Sequence, residues 1–433
     1  MAWNKFMESQ KLWPWEIVLP ICRVHLANEH IHYYAQVSAR FAEKKNMHQQ
    51  ILETPTQAPS GSTASTRRYD LDWLRVIAFT LLILYHTGMF FVSWDWHIKN
   101  NVLAEWMELP MLWLNRWRMP LLFLISGMSI QFLLRKRSSG AFALDRLKRL
   151  GIPLLFGMLV VVPPQIYFER LTQGETYNYL EFWATVFQFQ PYPEGNFSWH
   201  HLWYLPYILV YSLIGIPLWG WLRSAGGQKL TAYLAEKAQN PLWLFFPVVL
   251  WHWAANFVID FPTTHNLIWD WENHFHSFSL FILGFVLGTQ DGFRKTMTHW
   301  RVGALVMAIG LGLILTFGFW LPEVKWTASL EALYEFLNTS YSWSMLVAIF
   351  GFANHYLNRP SVVLSYANRA VYPFYILHQS VIISLAYPMT NWLWSPELKF
   401  LSLAVGTFGL CWVLYEFLIK RWKVTRLVFG VNG

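Results

Sequence analysis

Long apolar runs and short polar segments alternate along the chain. Ten of the runs have the length of a helix that crosses a bilayer, about 17–25 residues. These runs are 71–93, 111–134, 151–168, 202–222, 242–260, 273–290, 302–320, 338–357, 370–388 and 400–419. The pattern predicts an all-α fold, a polytopic membrane helix bundle with about ten transmembrane helices.

The composition supports a membrane protein and argues against several other classes. Hydrophobic residues make up 55% of the 433 residues and charged residues only 13%, which is about half of the charged fraction in a typical soluble domain. The two cysteines, Cys22 and Cys411, lie far apart in the chain. Such a pair supports neither a disulfide framework nor a cysteine zinc site.

Connecting segments with many Lys and Arg residues alternate along the chain with segments that have few. If the residues before the first apolar run are cytoplasmic, the cytoplasmic connections carry twenty Lys and Arg, and the opposite side carries four, or six with Arg116 and Arg118. The positive-inside rule then predicts that both termini of the bundle are cytoplasmic. Because the basic residues are dispersed over short loops, the net charge of +8 reflects topology, and no nucleic-acid partner is expected.

The chain divides into a tail, a membrane domain and a short C-terminal segment. Residues 1–66 contain an interrupted apolar stretch and a Thr/Ser/Pro-rich linker, which predict an N-terminal tail and flexible linker. Translation from Met47 and a surface-lying anchor helix are two alternatives for this tail. The membrane domain is expected at 67–426 and the C-terminal tail at 427–433. On the outer side, the 169–200 connection is long enough to form a small cap.

Two ionisable residues lie in the first apolar run. Arg75 and His86 are eleven residues apart, close to three helical turns, so they share one face with roughly 16 Å between them along the axis. A charge inside a membrane span costs about 2.5–3.5 kcal/mol on insertion scales, which makes such a group a functional candidate. The alternative is a snorkelling arginine and a histidine that bonds a neighbouring helix.

This Arg–His spacing, with four later motifs, resembles the acyltransferase 3 family of integral membrane acyltransferases. The sequence around the first helix is similar to those of the glucan biosynthesis protein C-like branch. The resemblance covers about residues 68–420 and implies ten helices. The later motifs are Pro120–Gly127, Arg146-x-x-Arg149 before Pro153, His201–Leu205, and Tyr372–His378.

The resemblance implies transfer of an acyl group, acetyl or succinyl, from cytoplasmic acyl-CoA to a hydroxyl of an extracytoplasmic glycan or lipid-linked sugar. It also implies a bacterial inner-membrane location, contact with membrane lipid and no tightly bound cofactor. Arg146 and Arg149, three residues apart on the inner side, are expected to bind the phosphates of the donor, with topology-setting charge as the alternative. The face of Arg75 and His86 is expected to line the path of the thioester.

His86 is the predicted general base, because an imidazole with a pKa near neutrality can take the proton of an acceptor hydroxyl. Ser126, Trp203 or a second imidazole is expected to stabilise the oxyanion. His378 shares a helical face with Tyr375, so this pair is expected to orient the base or to contact substrate. A structural hydrogen bond between helices is the alternative role for His378.

The other histidines predict less. His200 and His201 are adjacent and interfacial, His274 and His276 point to different helix faces, and His252 stands alone in an apolar run. The chain has neither a His-Glu-x-x-His zinc pattern nor a Gly-x-Ser-x-Gly esterase motif, so no metal site and no serine nucleophile are predicted.

A proton-coupled membrane transporter or polymer exporter is the alternative function. Buried Arg and His residues are typical of ion-coupled carriers as well. Carriers are usually built from inverted repeats with broken helices in matching positions. The two halves of this sequence show no such internal symmetry, which favours the acyltransferase.

Overall fold

The computed structural model describes residues 67–134, 138–259 and 261–431. These residues fold into helices and connecting loops without a β-strand, and one isolated bridge joins Pro191 and Phe197. The all-α prediction is therefore confirmed. The predicted N-terminal tail and linker, including Met47, lie outside the described residues.

Sixteen α-helices form in the described part of the chain. They are α1 Tyr69–Met89, α2 Glu108–Leu134, α3 Ser139–Arg146, α4 Ile152–Phe156, α5 Pro163–Thr172, α6 Tyr179–Thr185, α7 Tyr204–Ile214, α8 Ile216–Leu222, α9 Ala225–Lys237, α10 Pro241–Ala255, α11 Trp271–Leu287, α12 Asp291–Leu315, α13 Ala328–Tyr356, α14 Val362–Met389, α15 Pro396–Val413 and α16 Lys423–Val428. Short 3₁₀ or π turns continue several of them, namely Glu105–Met107, Leu147–Gly151, Gly157–Val161, Val186–Gln188, His200–Trp203, Thr316–Trp320 and Leu414–Ile419.

Six helical segments in the described residues are long and apolar enough to cross a membrane. They are Tyr69–Met89, Glu105–Leu134, Ser139–Thr172, Asp291–Trp320, Val362–Met389 and Pro396–Ile419. The pair α7 and α8, bent by 56°, makes a seventh if it is counted as one broken span. The remaining predicted runs form α10 and α11, of 15 and 17 residues, and the longer but less apolar α13. The chain is a multi-pass membrane protein, whereas ten spans and cytoplasmic termini stay predictions.

Three of the long helices begin well before their apolar runs. Side-chain oxygens of Thr327, Ser361 and Ser395 accept hydrogen bonds from backbone N–H groups three residues later. This contact satisfies one of the donors left free in the first turn of a helix. The helices α13, α14 and α15 therefore start at polar caps, whereas the sequence prediction followed hydrophobicity alone.

Several long helices pack closely against one another. Helix α14 lies against α1, α5 and α15, and α2 lies against α1 and α11. A Cβ at Gly127 would come within 1.9 Å of the Phe281 carbonyl oxygen, and one at Gly284 within 2.2 Å of the Leu124 carbonyl oxygen. These two glycines let α2 and α11 approach backbone to backbone, as small residues do in membrane bundles.

A proline and a tyrosine connect the third span to α14. Pro153 has no N–H to donate to the carbonyl of Arg149, four residues earlier. The hydroxyl of Tyr372, on α14, donates to that carbonyl instead at 3.1 Å. The interrupted helix is thus tied to the motif that carries His378.

Candidate active site

Two imidazoles face each other between α1 and α14. Nδ1 of His86 lies 2.8 Å from Nε2 of His378, and the rings stack with 5.0 Å between centroids and 4° between planes. On the other side of its ring, Nδ1 of His378 lies 2.6 Å from the carbonyl oxygen of Tyr375. His378 is fully buried, and His86 is partly buried.

The hydrogen-bond partners assign the protons of this pair. The Tyr375 carbonyl can only accept, so Nδ1 of His378 donates and Nε2 of the neutral ring holds a lone pair. Nδ1 of His86 then donates to that lone pair. Nε2 of His86 is left unprotonated, and no group in the described residues hydrogen-bonds to it. A lone pair of this kind is what a general base requires.

An external loop partly covers the pair. The ring of Trp96 lies 5.3 Å from that of His86, at 33°. Nζ of Lys99 holds the start of this loop by donating to the carbonyls of Met89 at 2.8 Å and Val92 at 2.9 Å, and also to that of Trp94. Burial lowers the pKa of Lys99 to about 8, although Asp95 and Glu108 act in the opposite direction.

Arg75 and His86 contact the same neighbouring helix, as a shared face of α1 requires. Arg75 donates to Asn368 on α14 at 3.2 Å and to Ser129 on α2 at 2.9 Å, and it pairs with Asp72 at 3.3 Å. His86 meets α14 at His378, ten residues after Asn368. Neither side chain is therefore directed only at lipid, and Arg75 lies at the end of α1 that is predicted to be cytoplasmic.

Arg146 and Arg149 share one carboxylate. Asp145 accepts from Arg146 at 3.0 Å and from Arg149 at 2.9 Å. The side chain of Arg149 keeps 33% of its surface exposed, whereas that of Arg146 keeps 13%. Nε of Arg146 is buried and has no partner in the described residues. The pair retains a net positive charge on the predicted inner side.

The remaining predicted site residues are only partly brought together. Tyr375 contacts the pair through its carbonyl, and its hydroxyl donates to the backbone of His201 at 2.8 Å. The Tyr204 hydroxyl donates to the Leu122 carbonyl, so Ser126 donates to Tyr204 at 2.5 Å. The hydroxyls of Ser126 and Tyr204 therefore make hydrogen bonds away from His86.

Trp203 lies away from the imidazole pair. Its ring packs against His265 at 4.1 Å and Tyr207 at 5.3 Å. The structure gives this residue no contact with His86 or His378 in the described residues. Of the three candidates predicted to stabilise the oxyanion, Ser126 and Trp203 are therefore engaged elsewhere, and a second imidazole is the third.

The histidine that was set aside as interfacial, His201, is buried beside His378. The two rings meet edge to face at 5.1 Å and 87°. Nε2 of His201 donates to the Ile376 carbonyl at 3.0 Å, and the Gln165 amide donates to Nδ1 at 3.1 Å. The sequence placed His201 at an interface because it stands just before the fourth apolar run, whereas its burial follows from contacts with α5 and α14 that sequence position does not give.

Arg118 is a buried cation close to the pair that the sequence did not single out. It is 7% exposed, and its guanidinium carbon lies 3.6 Å above the ring of Tyr85, the neighbour of His86. Nη2 donates to Asn115 at 3.2 Å, whereas Nε and Nη1 have no partner in the described residues. The available signal was a charge inside the second apolar run.

Two further histidine groups were also missed. His252 and His276 stack with 2.8 Å between their Nδ1 atoms; they face a polar cavity of about 720 Å³ that also contains Arg116. In the described residues, one group can hold a metal ion: His97, Glu169 and His200 offer one ligating atom each, all within 4.8 Å of one another. These ligands come from three separate segments of the chain, so no short sequence motif could have predicted them.

Comparisons with known proteins show the family of the chain. The family model described as an acyltransferase domain matches residues 68–416. The chain is 21% identical over 361 residues to the glucans biosynthesis protein C of Salmonella schwarzengrund and to that of Salmonella agona, covering 82% of this chain and 92% of each relative. No solved structure matches the chain. The chain therefore belongs to the acyltransferase 3 family and is a membrane acyltransferase rather than the transporter considered as its alternative.

Proposed function

We propose that the protein transfers an acetyl or succinyl group from cytoplasmic acyl-CoA to a hydroxyl of an extracytoplasmic glycan. The unprotonated Nε2 of His86, fixed by the bond from its Nδ1 to His378, is the observation that carries this proposal. The name of the relatives in Salmonella supports a glucan as the acceptor.

The imidazole supplies the proton transfers of the reaction. Nε2 of His86 takes the proton of the acceptor hydroxyl as the oxygen attacks the thioester carbonyl. The new C–O bond forms, the C–S bond breaks, and the departing thiolate of CoA receives the same proton from the imidazolium. His378 accepts a hydrogen bond from His86 throughout, which holds the ring in the required tautomer and stabilises the charge that develops on it.

Arg118 is the proposed donor to the oxyanion. Acyl transfer develops negative charge on the carbonyl oxygen, and fixed donors at that oxygen are worth most in a site that excludes water. Nε and Nη1 of Arg118 are buried without a hydrogen-bond partner in the described residues, and its guanidinium packs on the ring of Tyr85, the residue before His86. This role belongs neither to Ser126 nor to Trp203, which are bonded or packed elsewhere.

The donor is proposed to enter from the opposite end of α1. The phosphates of CoA need cations, and Arg146 and Arg149 supply them on the predicted inner side. Both arginines pair with the single carboxylate of Asp145, so two positive charges face one negative charge. Arg75 lies at the same end of α1 and is anchored to α2 and α14. The α1–α14 wall that joins Arg75 to His86 then guides the acyl chain outward while the nucleotide stays inside.

Transfer of radiolabel tests the proposal directly. Purified protein in detergent, which exposes both faces, is incubated with labelled acetyl-CoA or succinyl-CoA and a glucan oligosaccharide. Label is expected on the oligosaccharide, with loss of about 10²–10⁴-fold in His86→Ala and none in His355→Ala, an exposed histidine at the end of α13. Undiminished transfer by a folded His86→Ala protein excludes His86 as the base, and absence of transfer to any glycan by the wild type overturns the proposal.

A further inference from the structure

Three potential metal ligands meet beside the imidazole pair. His97 lies in the loop after α1, Glu169 on α5 and His200 in the turn before α7. One ligating atom from each lies within 4.8 Å of the other two, and the rings of His97 and His200 stack at 4.7 Å. The cluster therefore joins three segments that are distant in sequence.

One buried atom of the cluster has no hydrogen-bond partner among the described residues. Nδ1 of His97 bonds a carboxylate oxygen of Glu169. Nε2 of His200 is buried with no hydrogen-bond partner in the described part of the chain. A buried polar atom without a partner is rare and calls for an explanation such as an ion. When Nδ1 of His200 donates to the Ser198 hydroxyl, Nε2 is a lone pair, and a cation then fits the gap between it, the second imidazole and the carboxylate.

Each ligand is also held by a second polar side chain. Tyr192 donates to the other carboxylate oxygen of Glu169 at 2.6 Å. Nδ1 of His200 lies 2.7 Å from the Ser198 hydroxyl. Nε2 of His97 lies 3.1 Å from the side-chain nitrogen of Gln379, which also donates to the Gln165 side-chain oxygen at 3.0 Å. Zinc at Nδ1 of His97 requires this amide to turn over, so that its oxygen accepts from Nε2 in place of the bond to Gln165. Metal ligands are oriented by outer partners of this type.

The backbone of His200 is strained in a way that fits a ligand. Its φ is +38°, in the left-handed region that a non-glycine residue seldom adopts. Strain of this kind persists where the surroundings fix the residue, and it is common at ligand sites. In this conformation the His200 ring stacks on that of His97.

We propose that His97, Glu169 and His200 bind one Zn²⁺ ion. Two imidazoles and one carboxylate form a ligand set that suits Zn²⁺ and leaves a fourth position open. Zinc takes the place of the proton on Nδ1 of His97, and that proton moves to Nε2 of the same ring, so His97 binds as a neutral imidazole. The ion links the loop after α1 to α5 and to the turn before α7. The inference does not depend on the proposed acyl transfer, because none of the three ligands has a role in that reaction.

Zinc content of the purified protein tests the inference. The full chain in detergent is treated with chelator, exchanged into metal-free buffer and titrated with Zn²⁺ against a chromophoric competitor, and bound zinc is measured by mass spectrometry. One equivalent is expected for the wild type. His200→Asn, which tolerates the positive φ, and Glu169→Gln, which keeps the side-chain shape, are expected to lose this equivalent.

Two further variants make the result specific. Tyr192→Phe removes only an outer partner and is expected to weaken zinc affinity by about 10–100-fold. His265→Asn changes another external histidine with positive φ and is expected to retain the wild-type affinity. Thermal unfolding and gel filtration establish that each variant is folded. The inference is overturned if the folded wild type binds no stoichiometric zinc, or if Glu169→Gln and His200→Asn bind zinc as well as the wild type does. Either result holds whether or not the protein transfers acyl groups.

Discussion

His86 and His378 stack in parallel, and Nδ1 of one lies 2.8 Å from Nε2 of the other. The Tyr375 carbonyl fixes the outer proton of His378, so the direction of the bond between the two rings is set by the backbone of α14. This relationship makes His378 a positioning residue for the proposed base.

Replacing His378 by Ala is expected to lower kcat for acyl transfer by roughly 10²-fold, within the range that general-base catalysis supplies. The KM for acyl-CoA is expected to change little, because His378 bonds His86 and not the predicted donor site. Initial rates over a range of acyl-CoA concentrations, measured from pH 6 to pH 9, provide the check. The pH dependence of kcat should also change, since the tautomer of His86 is no longer fixed.

The chain offers a matched control for this variant. His252 and His276 form a second stacked pair with the same 2.8 Å separation between ring nitrogens, and they have no proposed part in the reaction. His276→Ala is expected to leave kcat and its pH dependence unchanged. Equal losses in the two variants, or an unchanged pH profile in His378→Ala, would contradict the positioning role.

Arg118→Gln is expected to lower kcat by about 10²–10³-fold, as loss of an oxyanion donor does elsewhere. The loss should be similar with acetyl-CoA and succinyl-CoA, because both thioesters develop the same oxyanion. Parallel assays with the two donors measure this. Arg116→Gln is the control, since Arg116 bonds Tyr334 at 2.7 Å and lines the separate cavity. A loss confined to succinyl-CoA would assign Arg118 to recognition of the succinyl carboxylate and refute the oxyanion role.

Much of the fold follows from hydrophobicity and helical geometry. Every predicted apolar run contains a helix in the described residues, because a backbone in lipid must satisfy its own hydrogen bonds. The shared face of Arg75 and His86 follows from the pitch of one helix. Helix starts were less predictable, since the caps at Ser361 and Ser395 lie in polar sequence outside the apolar runs.

The site was predictable only where its residues carry a motif. His86 and His378 stand in motifs, and their meeting confirms that α1 and α14 are neighbours. Arg118, His201 and His97 depend on which helices and loops pack together, and no single stretch of sequence contains that information. Arg118 was counted among external loop charges, although its place inside an apolar run was the signal that mattered.

Gly284→Ala is expected to destabilise the protein by about 1–3 kcal/mol, the usual cost of overpacking a tight contact. The added methyl would lie 2.2 Å from the Leu124 carbonyl oxygen, so α2 and α11 must move apart. Gly310→Ala is the matched control, because a Cβ there meets nothing within 4 Å. Thermal unfolding in one detergent compares the two. A Gly284→Ala protein as stable as Gly310→Ala would show that the close approach of α2 and α11 contributes nothing.

The lowered pKa of Lys99 makes the free energy of unfolding depend on pH above pH 8. Burial disfavours its ammonium and lowers the pKa from 10.5 to about 8 in the folded protein, against the opposing effect of Asp95 and Glu108. Between these two values the unfolded chain holds a proton that the folded chain has lost, so this residue makes stability rise with pH. Lys99→Met removes the titration. The difference in Tm, wild type minus Lys99→Met, is therefore expected to increase from pH 8 to pH 10 and to stay constant from pH 6 to pH 7. A difference that is flat above pH 8, or that falls, would contradict a depressed pKa at Lys99.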